Sequence, residues 1–244
     1  MKTLNNFTVI DSVYGPFVVN RHCTYQAEHL IKTGRPHIDE EVQKILMVVA
    51  TLPDGAVFVD AGANIGLVSL PVAQALAPRG GVVLAFEAQR LMAYALGGAA
   101  ALNDLVNLHV FHKGLGAEAR VEMTGMLDYG APQDFGTYSL LEQGGERRER
   151  LEIVTVDSLE LPRLDFLKID VEGMEVDVLK GAEASIAKGR PWLWVEHWII
   201  GADRIKAAMP HPDYRFLIAD GMNMICAPRE KLETSGIRFD LPEA

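Results

Sequence analysis

Two acids stand at the ends of successive apolar runs, and each suits a different part of one ligand. Val57-Phe58-Val59 runs into Asp60-Ala61-Gly62-Ala63-Asn64-Ile65-Gly66, and Val82–Phe86 runs into Glu87. Gly62 lets the backbone turn tightly and come close to a ligand. A carboxylate at Asp60 would repel a phosphate; it suits a positive group such as the ammonium of an amino-acid moiety. Glu87 lies about 20 residues beyond the glycine turn, where an acid binds the vicinal hydroxyls of a ribose. The pyrophosphate pattern G-x-G-x-x-G is absent, because the glycines stand at 62 and 66 with Asn64 between them. A purely structural turn would need the glycines but not the second acid. A ligand with an amino-acid end and a ribose but no phosphate matches S-adenosylmethionine.

A second group of ionisable residues lies further along the chain. Leu167-Lys168-Ile169-Asp170-Val171-Glu172-Gly173-Met174-Glu175 puts Asp170 at the end of a buried strand, with Glu172 two residues on. Trp192-Leu193-Trp194-Val195 runs into Glu196-His197-Trp198. Carboxylates at a sheet edge are costly unless paired, liganded or shifted in pKa. Capping of the next helix accounts for Glu175, whereas Asp170 lies where a ligand crevice opens. The catalytic candidates are Asp170, Glu172, Glu196 and His197. His197 has the ordinary pKa nearest working pH, Asp170 and Glu172 could share a proton, and alternation sends Glu196 and His197 to opposite faces. The tryptophans are core residues by default.

No metal is expected. His22, His29, His37, His109, His112 and His211 show no ligand spacing, and Cys23 and Cys226 are too few for a zinc site. The competing arrangement is a hard divalent ion held by Asp170, Glu172 and Glu196, since oxygen ligands at one edge suit magnesium.

Positioning these residues takes a doubly wound α/β sheet. Short apolar runs at 57–59, 82–86 and 108–111, separated by helical stretches at 66–76 and about 91–102, are the βαβ signature of parallel strands with right-handed crossovers. Strands are expected again at 151–156, 166–169 and 192–195, with one helix over about 175–188 and a closing strand pair within 214–227. In front, Phe7–Ile10 and Phe17–Val19 flank Tyr14-Gly15-Pro16 as a hairpin, and Asp39 is placed to cap a helix. The expected organisation is one domain over 1–244, with 1–53 as an appendage and about 117–150 as an inserted cover. Within the insert, Met123–Gly145 is expected over the active site, with Phe135-Gly136-Thr137-Tyr138 nearest the ligands.

The chain has 244 residues, 49% of them apolar, enough for a large core. Its 33 acids against 23 bases give a net charge of −10, which opposes nucleic acid and anionic membrane as partners. No signal peptide or membrane-spanning run is evident, so a cytoplasmic protein with reduced cysteines is expected. The oligomeric state is left open, a homo-oligomer included.

The motifs DAGANIG (60–66), FEAQR (86–90), DFGT (134–137), TVDSL (155–159) and LKIDVEGME (167–175) resemble the FkbM-type family of S-adenosylmethionine-dependent methyltransferases, over about residues 40–200. LKIDVEGME is the most distinctive of them. The resemblance implies a Rossmann-like fold, S-adenosyl-L-methionine as cofactor, and methylation of a hydroxyl on a sugar, glycolipid or natural product. The expected cofactor-binding set is Asp60, Gly62, Ala63, Asn64, Ile65, Gly66, Glu87, Ala88, Gln89, Leu115 and Asp170. The resemblance gives the acids of LKIDVEGME and Glu196 more weight than His197. Alternatives are N- or carboxyl-methylation and a non-catalytic adenosylmethionine-binding protein; a nucleotide-dependent oxidoreductase is disfavoured by the missing phosphate fingerprint.

Overall fold

A computed structural model describes residues 5–140, 147–239 and 241–244. The front section forms a hairpin of β1 (Phe7–Ile10) and β2 (Phe17–Asn20), then helices α1 (Thr24–Thr33) and α2 (Asp39–Val49). Next come β3 (Val57–Ala61), α3 (Ser69–Leu76), β4 (Val82–Phe86), α4 (Arg90–Leu102) and β5 (Leu108–Phe111). A small sheet follows from β6 (Gly114–Leu115), β7 (Arg120–Gly125) and β8 (Arg148–Val154). The chain closes with β9 (Phe166–Ile169), α5 (Glu175–Lys180), α6 (Glu183–Gly189), β10 (Trp192–Glu196), α7 (Ala202–Ala208), β11 (Tyr214–Ile218), β12 (Asn223–Pro228) and α8 (Arg229–Ser235).

Seven strands form the main sheet in the order β11-β12-β10-β9-β3-β4-β5. Pairing is parallel from β10 through β5, and antiparallel where β12 joins β10 and β11. The strand order reverses between β3 and β9, so a crevice opens at their carboxyl ends. The doubly wound sheet read from the spacing is the sheet observed.

Both faces are buried, as a mostly parallel sheet requires. One carries Phe58, Val83, Ala85, Phe166, Trp192 and Trp194, packed against α2, α3 and α4. The other carries Val59, Ala61, Phe86, Leu167, Ile169, Leu193 and Val195, packed against α5 and α6. Phe58 and Phe166 stack across neighbouring strands with ring centroids 4.6 Å apart.

The structure corrects several boundaries. In the front section, Phe17, Val19, Leu30, Val42 and Ile45 belong to the first core cluster. Asp39 does not cap α2; it lies inside the first turn and accepts hydrogen bonds from Tyr14 Oη at 2.7 Å and Arg35 at 2.8 Å. Helix α1 was not read from the sequence. The single helix over 175–188 is two, broken at Gly181, where a Cβ would collide with the carbonyl of Gly116. The insert contains β7 and the start of β8. Among the described residues, no helix is long and apolar enough to cross a membrane.

Candidate active site

The alternation of the strands builds the site. On the first face, the row Phe58, Asp60 runs beside Ala85, Glu87, beside Phe166, Lys168, Asp170, and beside Trp194, Glu196. Each row is apolar in the sheet and ionisable at its carboxyl end, because residues two apart share a face. A cleft lies at this polar end, lined by Asp60, Glu87, Lys168, Asp170, Glu172 and Glu196, with Glu41 of α2 above them.

Lys168 organises one part of the cleft. It pairs in register with Asp60 and is 2% exposed. Its Nζ lies 3.2 Å from Asp60 Oδ1 and 3.2 Å from Asp170 Oδ2, and donates to the Gly62 carbonyl at 3.3 Å. Burial alone would depress its pKa, but Asp170, Asp60 and Glu41 together hold it above the ordinary lysine value. Asp60 also accepts a 2.6 Å hydrogen bond from Ser69 Oγ. Within the chain, then, the partners of Asp60 are Lys168 and Ser69.

The glycine turn is fixed from both sides. Gly62 has φ 79°, and a Cβ there would run into the Asp170 carbonyl. The close approach at Gly62 is therefore to the next strand of the protein itself. Asn64 is left-handed at φ 49°, and its N–H donates to Glu87 Oε2 at 2.7 Å. The N–H of Gln89 donates to Glu87 Oε1, also at 2.7 Å. Burial pushes the Glu87 carboxyl up to about 7 against the pull of those two N–H groups.

The other acids crowd one another. Glu172 is left-handed at φ 53° and followed by Gly173 at φ 101°, a conformation that costs free energy and turns the chain back toward the cleft. Burial first, and then Asp170, Glu175 and Asp134, push the Glu172 carboxyl up to about 7. Burial, together with Asp170, Glu172 and Glu175, pushes Glu196 up to about 9. Glu175 accepts the N–H groups of Gly173 at 3.0 Å and Val171 at 3.3 Å, so it ties down the turn ahead of α5; no side chain caps that helix, contrary to the capping role expected of Glu175 from the sequence. Burial raises its pKa while those N–H bonds oppose the rise.

Of the expected cofactor set, Asp60, Gly62, Ala63, Asn64, Glu87, Ala88, Gln89, Leu115 and Asp170 line the cleft. Ile65 and Gly66 do not. The Ile65 side chain is 1% exposed in the core, and Gly66 packs against Leu70 and Leu96. Of the catalytic candidates, Asp170, Glu172 and Glu196 come together, and His197 does not join them in the lining. Alternation turns its ring away, where Nε2 is enclosed without a hydrogen-bond partner.

The insert reaches the cleft through Asp134, Gly136, Thr137, Tyr138 and Leu140. Phe135 instead turns into the core, fully buried and stacked on Tyr129 at 5.1 Å. Gln89 donates to the Phe135 carbonyl at 2.6 Å, and Ser139 Oγ donates to the Glu172 carbonyl at 2.6 Å. Residues 141–146 of the expected cover lie outside the described residues. Sequence reasoning gave no role to Lys168, Glu41 or Asn223. Lys168 was legible, being two residues before Asp170 on the same face. Glu41 carried no local signal, because only the packing of α2 over the sheet brings it there.

Comparison with known proteins bears on the same region. The family model for the methyltransferase FkbM domain matches residues 60–216, and no curated protein matches the chain. Among solved structures, a methyltransferase FkbM from Methylobacillus flagellatus KT is similar at 20% identity, over 72% of this chain and 44% of that one, with a TM-score of 0.49. A T. thermophilus 16S rRNA N2 methyltransferase in complex with AdoMet and guanosine is 10% identical over 91% of this chain and 50% of that one, TM-score 0.48. A SAM-dependent O-methyltransferase from Thermotoga maritima is 11% identical over 90% of this chain and 77% of that one, TM-score 0.49. The match thus spans half or less of the length of the first two. The family match covers well over half of the chain and includes β4, β9, β10 and the carboxyl end of β3, from Asp60 on. The chain belongs to the methyltransferase FkbM domain family, whose methyl donor is S-adenosylmethionine.

Proposed function

We propose that this protein transfers the methyl group of S-adenosylmethionine to a hydroxyl oxygen of a small molecule, namely a sugar, a glycolipid or a natural product. The observation that carries this reading is the shared cleft, in which the Glu87–Asn64 turn faces the carboxylates of Asp170, Glu172 and Glu196. The cofactor's ribose lies on Glu87. Each Glu87 oxygen accepts one backbone N–H and keeps a second lone pair for a ribose hydroxyl. The amino-acid end follows the turn from Asp60 to Asn64.

In the reaction, the acceptor oxygen forms a bond to the methyl carbon as the carbon–sulfur bond breaks in line. Sulfur keeps the electron pair and leaves as neutral adenosylhomocysteine. The hydroxyl proton passes to a carboxylate oxygen of the Asp170, Glu172 and Glu196 group. The protein contributes alignment and exclusion of water, and the acids accept the proton. A net charge of −10 and an acid-lined cleft oppose a nucleic-acid acceptor. Transfer to an amine is a second reading, favoured by the same acid excess, which attracts an ammonium.

The test is a screen of hydroxylated and amino acceptors with the cofactor labelled by carbon-13 at its methyl. The expected product carries an O-methyl signal. Transfer to amines alone would overturn the oxygen assignment. Binding of adenosylhomocysteine with no transfer to any acceptor would favour a binding protein.

A further inference from the structure

Asp170, Glu172 and Glu196 present carboxylate oxygens that all lie within 4.8 Å of one another. They converge because β9 and β10 are parallel neighbours and the left-handed turn at Glu172 folds it back beside Asp170. Such a group of acids is not by itself a binding site, but one of its members, Glu196, is built for a partner that the protein does not supply. Glu196 is 6% exposed, and its Oε2 is enclosed with no hydrogen-bond partner. Among the described residues, the one cation in ion-pair contact with this group is Lys168, which meets Asp170 and Asp60. None of the described lysines, arginines or histidines forms an ion pair with Glu172, Glu175 or Glu196. An enclosed carboxyl without a partner either keeps its proton or is completed by something positive, and in this cleft three carboxyls converge on one point.

From this geometry we infer that Asp170, Glu172 and Glu196 form a binding site for a hard divalent cation, magnesium or manganese, on the acceptor side of the cleft. The donors are all oxygen, which selects hard ions over zinc or copper. One oxygen from each residue leaves the other positions of an octahedral ion for water and acceptor oxygens. From the sequence, histidine and cysteine spacing argues for no metal, with a hard ion on these same three acids as the competing arrangement; the acids are 26 positions apart at their extremes (170 and 196) and meet across strands. The role of the ion rests on the methyltransferase reading, in which it would stabilise the developing alkoxide of the acceptor. Binding of the ion does not rest on that reading.

The experiment uses the full chain, treated with chelator and titrated with manganese without cofactor. Free manganese is read by electron paramagnetic resonance. The expected result is one saturable site per chain, displaced by magnesium. Glu196→Gln and Glu172→Gln should each weaken it by about ten-fold or more, and Asp203→Asn, at an exposed acid on α7, should leave it unchanged. Should Glu196→Gln fail to fold, the half-buried Glu172 still reports. Absence of a saturable site, or a site untouched by both Gln variants, overturns the inference. Calorimetry with adenosylhomocysteine, run in parallel, separates the two readings. Cofactor binding without a manganese site sinks the cation and spares the methyltransferase; a manganese site without cofactor binding does the reverse.

Discussion

Asp60 and Lys168 stand opposite each other in the parallel pairing of β3 and β9, with their charged atoms 3.2 Å apart and both side chains almost fully enclosed. The pair continues the row in which Phe58 stacks on Phe166, so the apolar floor of the sheet passes directly into the ionic floor of the cleft. Asp60 therefore ties two strands together at the point where the strand order reverses.

Removing Lys168 should be costly. Lys168→Met leaves Asp60 buried with only its Ser69 hydrogen bond, and breaking a buried pair typically destabilises by about 3–5 kcal/mol. Urea unfolding measures this. The double variant Asp60→Asn with Lys168→Met should recover much of the loss, because no fully buried charge is left unpaired; Asp170, which also loses Lys168, is partly exposed to solvent. A Lys168→Met loss below about 1 kcal/mol, the scale of an exposed pair, would show that solvent reaches Asp60.

Glu87 has two tasks, and one substitution touches both. Glu87→Ala releases the N–H groups of Asn64 and Gln89 and removes the acceptor for the ribose. Adenosylhomocysteine binding should weaken by at least about 1.5–3 kcal/mol, the range for hydrogen bonds to a charged group. Unchanged affinity in calorimetry would remove Glu87 from the ribose site.

The fold was legible because its signals are local. Apolar runs ending in Asp60, Glu87, Asp170 and Glu196 mark four parallel strands, and period-two alternation assigns those acids to one face. The same rule separates His197 from Glu196, although its ordinary pKa made it an attractive base. What stayed hidden depends on packing between distant segments. Helix α1 lacks a capping side chain, with Cys23 at its N-cap. At Gly181, between α5 and α6, Gly116, 65 positions earlier (181 and 116), leaves no room for a Cβ. Glu41 enters the cleft from a helix whose own sequence shows only amphipathic spacing.

The insert gives a third test. Tyr129 and Phe135 are anchored in the core, while Gly136, Thr137 and Tyr138 border the cleft. Hydrogen exchange should therefore divide this segment. Residues 129–135 should be protected with or without adenosylhomocysteine, and 136–140 should gain protection when it binds. Equal protection of 136–140 in both states would count against a cover that orders on the ligand.

Glu41 offers the clearest pH signature outside the carboxylate group. Burial pushes its carboxyl up to about 8 from an ordinary 4.5; Asp170, Asp220 and Asp60 add to the rise, and Lys168 opposes it. The folded protein therefore keeps a proton on Glu41 through a range in which the unfolded chain has released it. That contribution to stability is complete below the unfolded value, declines as pH rises, and is lost as pH passes about 8. Glu41→Gln stays neutral throughout and keeps an oxygen for the 3.4 Å contact with Asn223 Nδ2. Glu87, Glu172 and Glu196, whose carboxyls are also raised, remain in both proteins, so the difference between the two isolates Glu41. Urea midpoints measured from about pH 5 to about pH 9 should fall more steeply in the wild-type chain than in the variant. At the alkaline end the variant should be the more stable of the two. Parallel curves would mean that Glu41 is ionised in the folded state at neutral pH, held by Lys168 more strongly than burial opposes it.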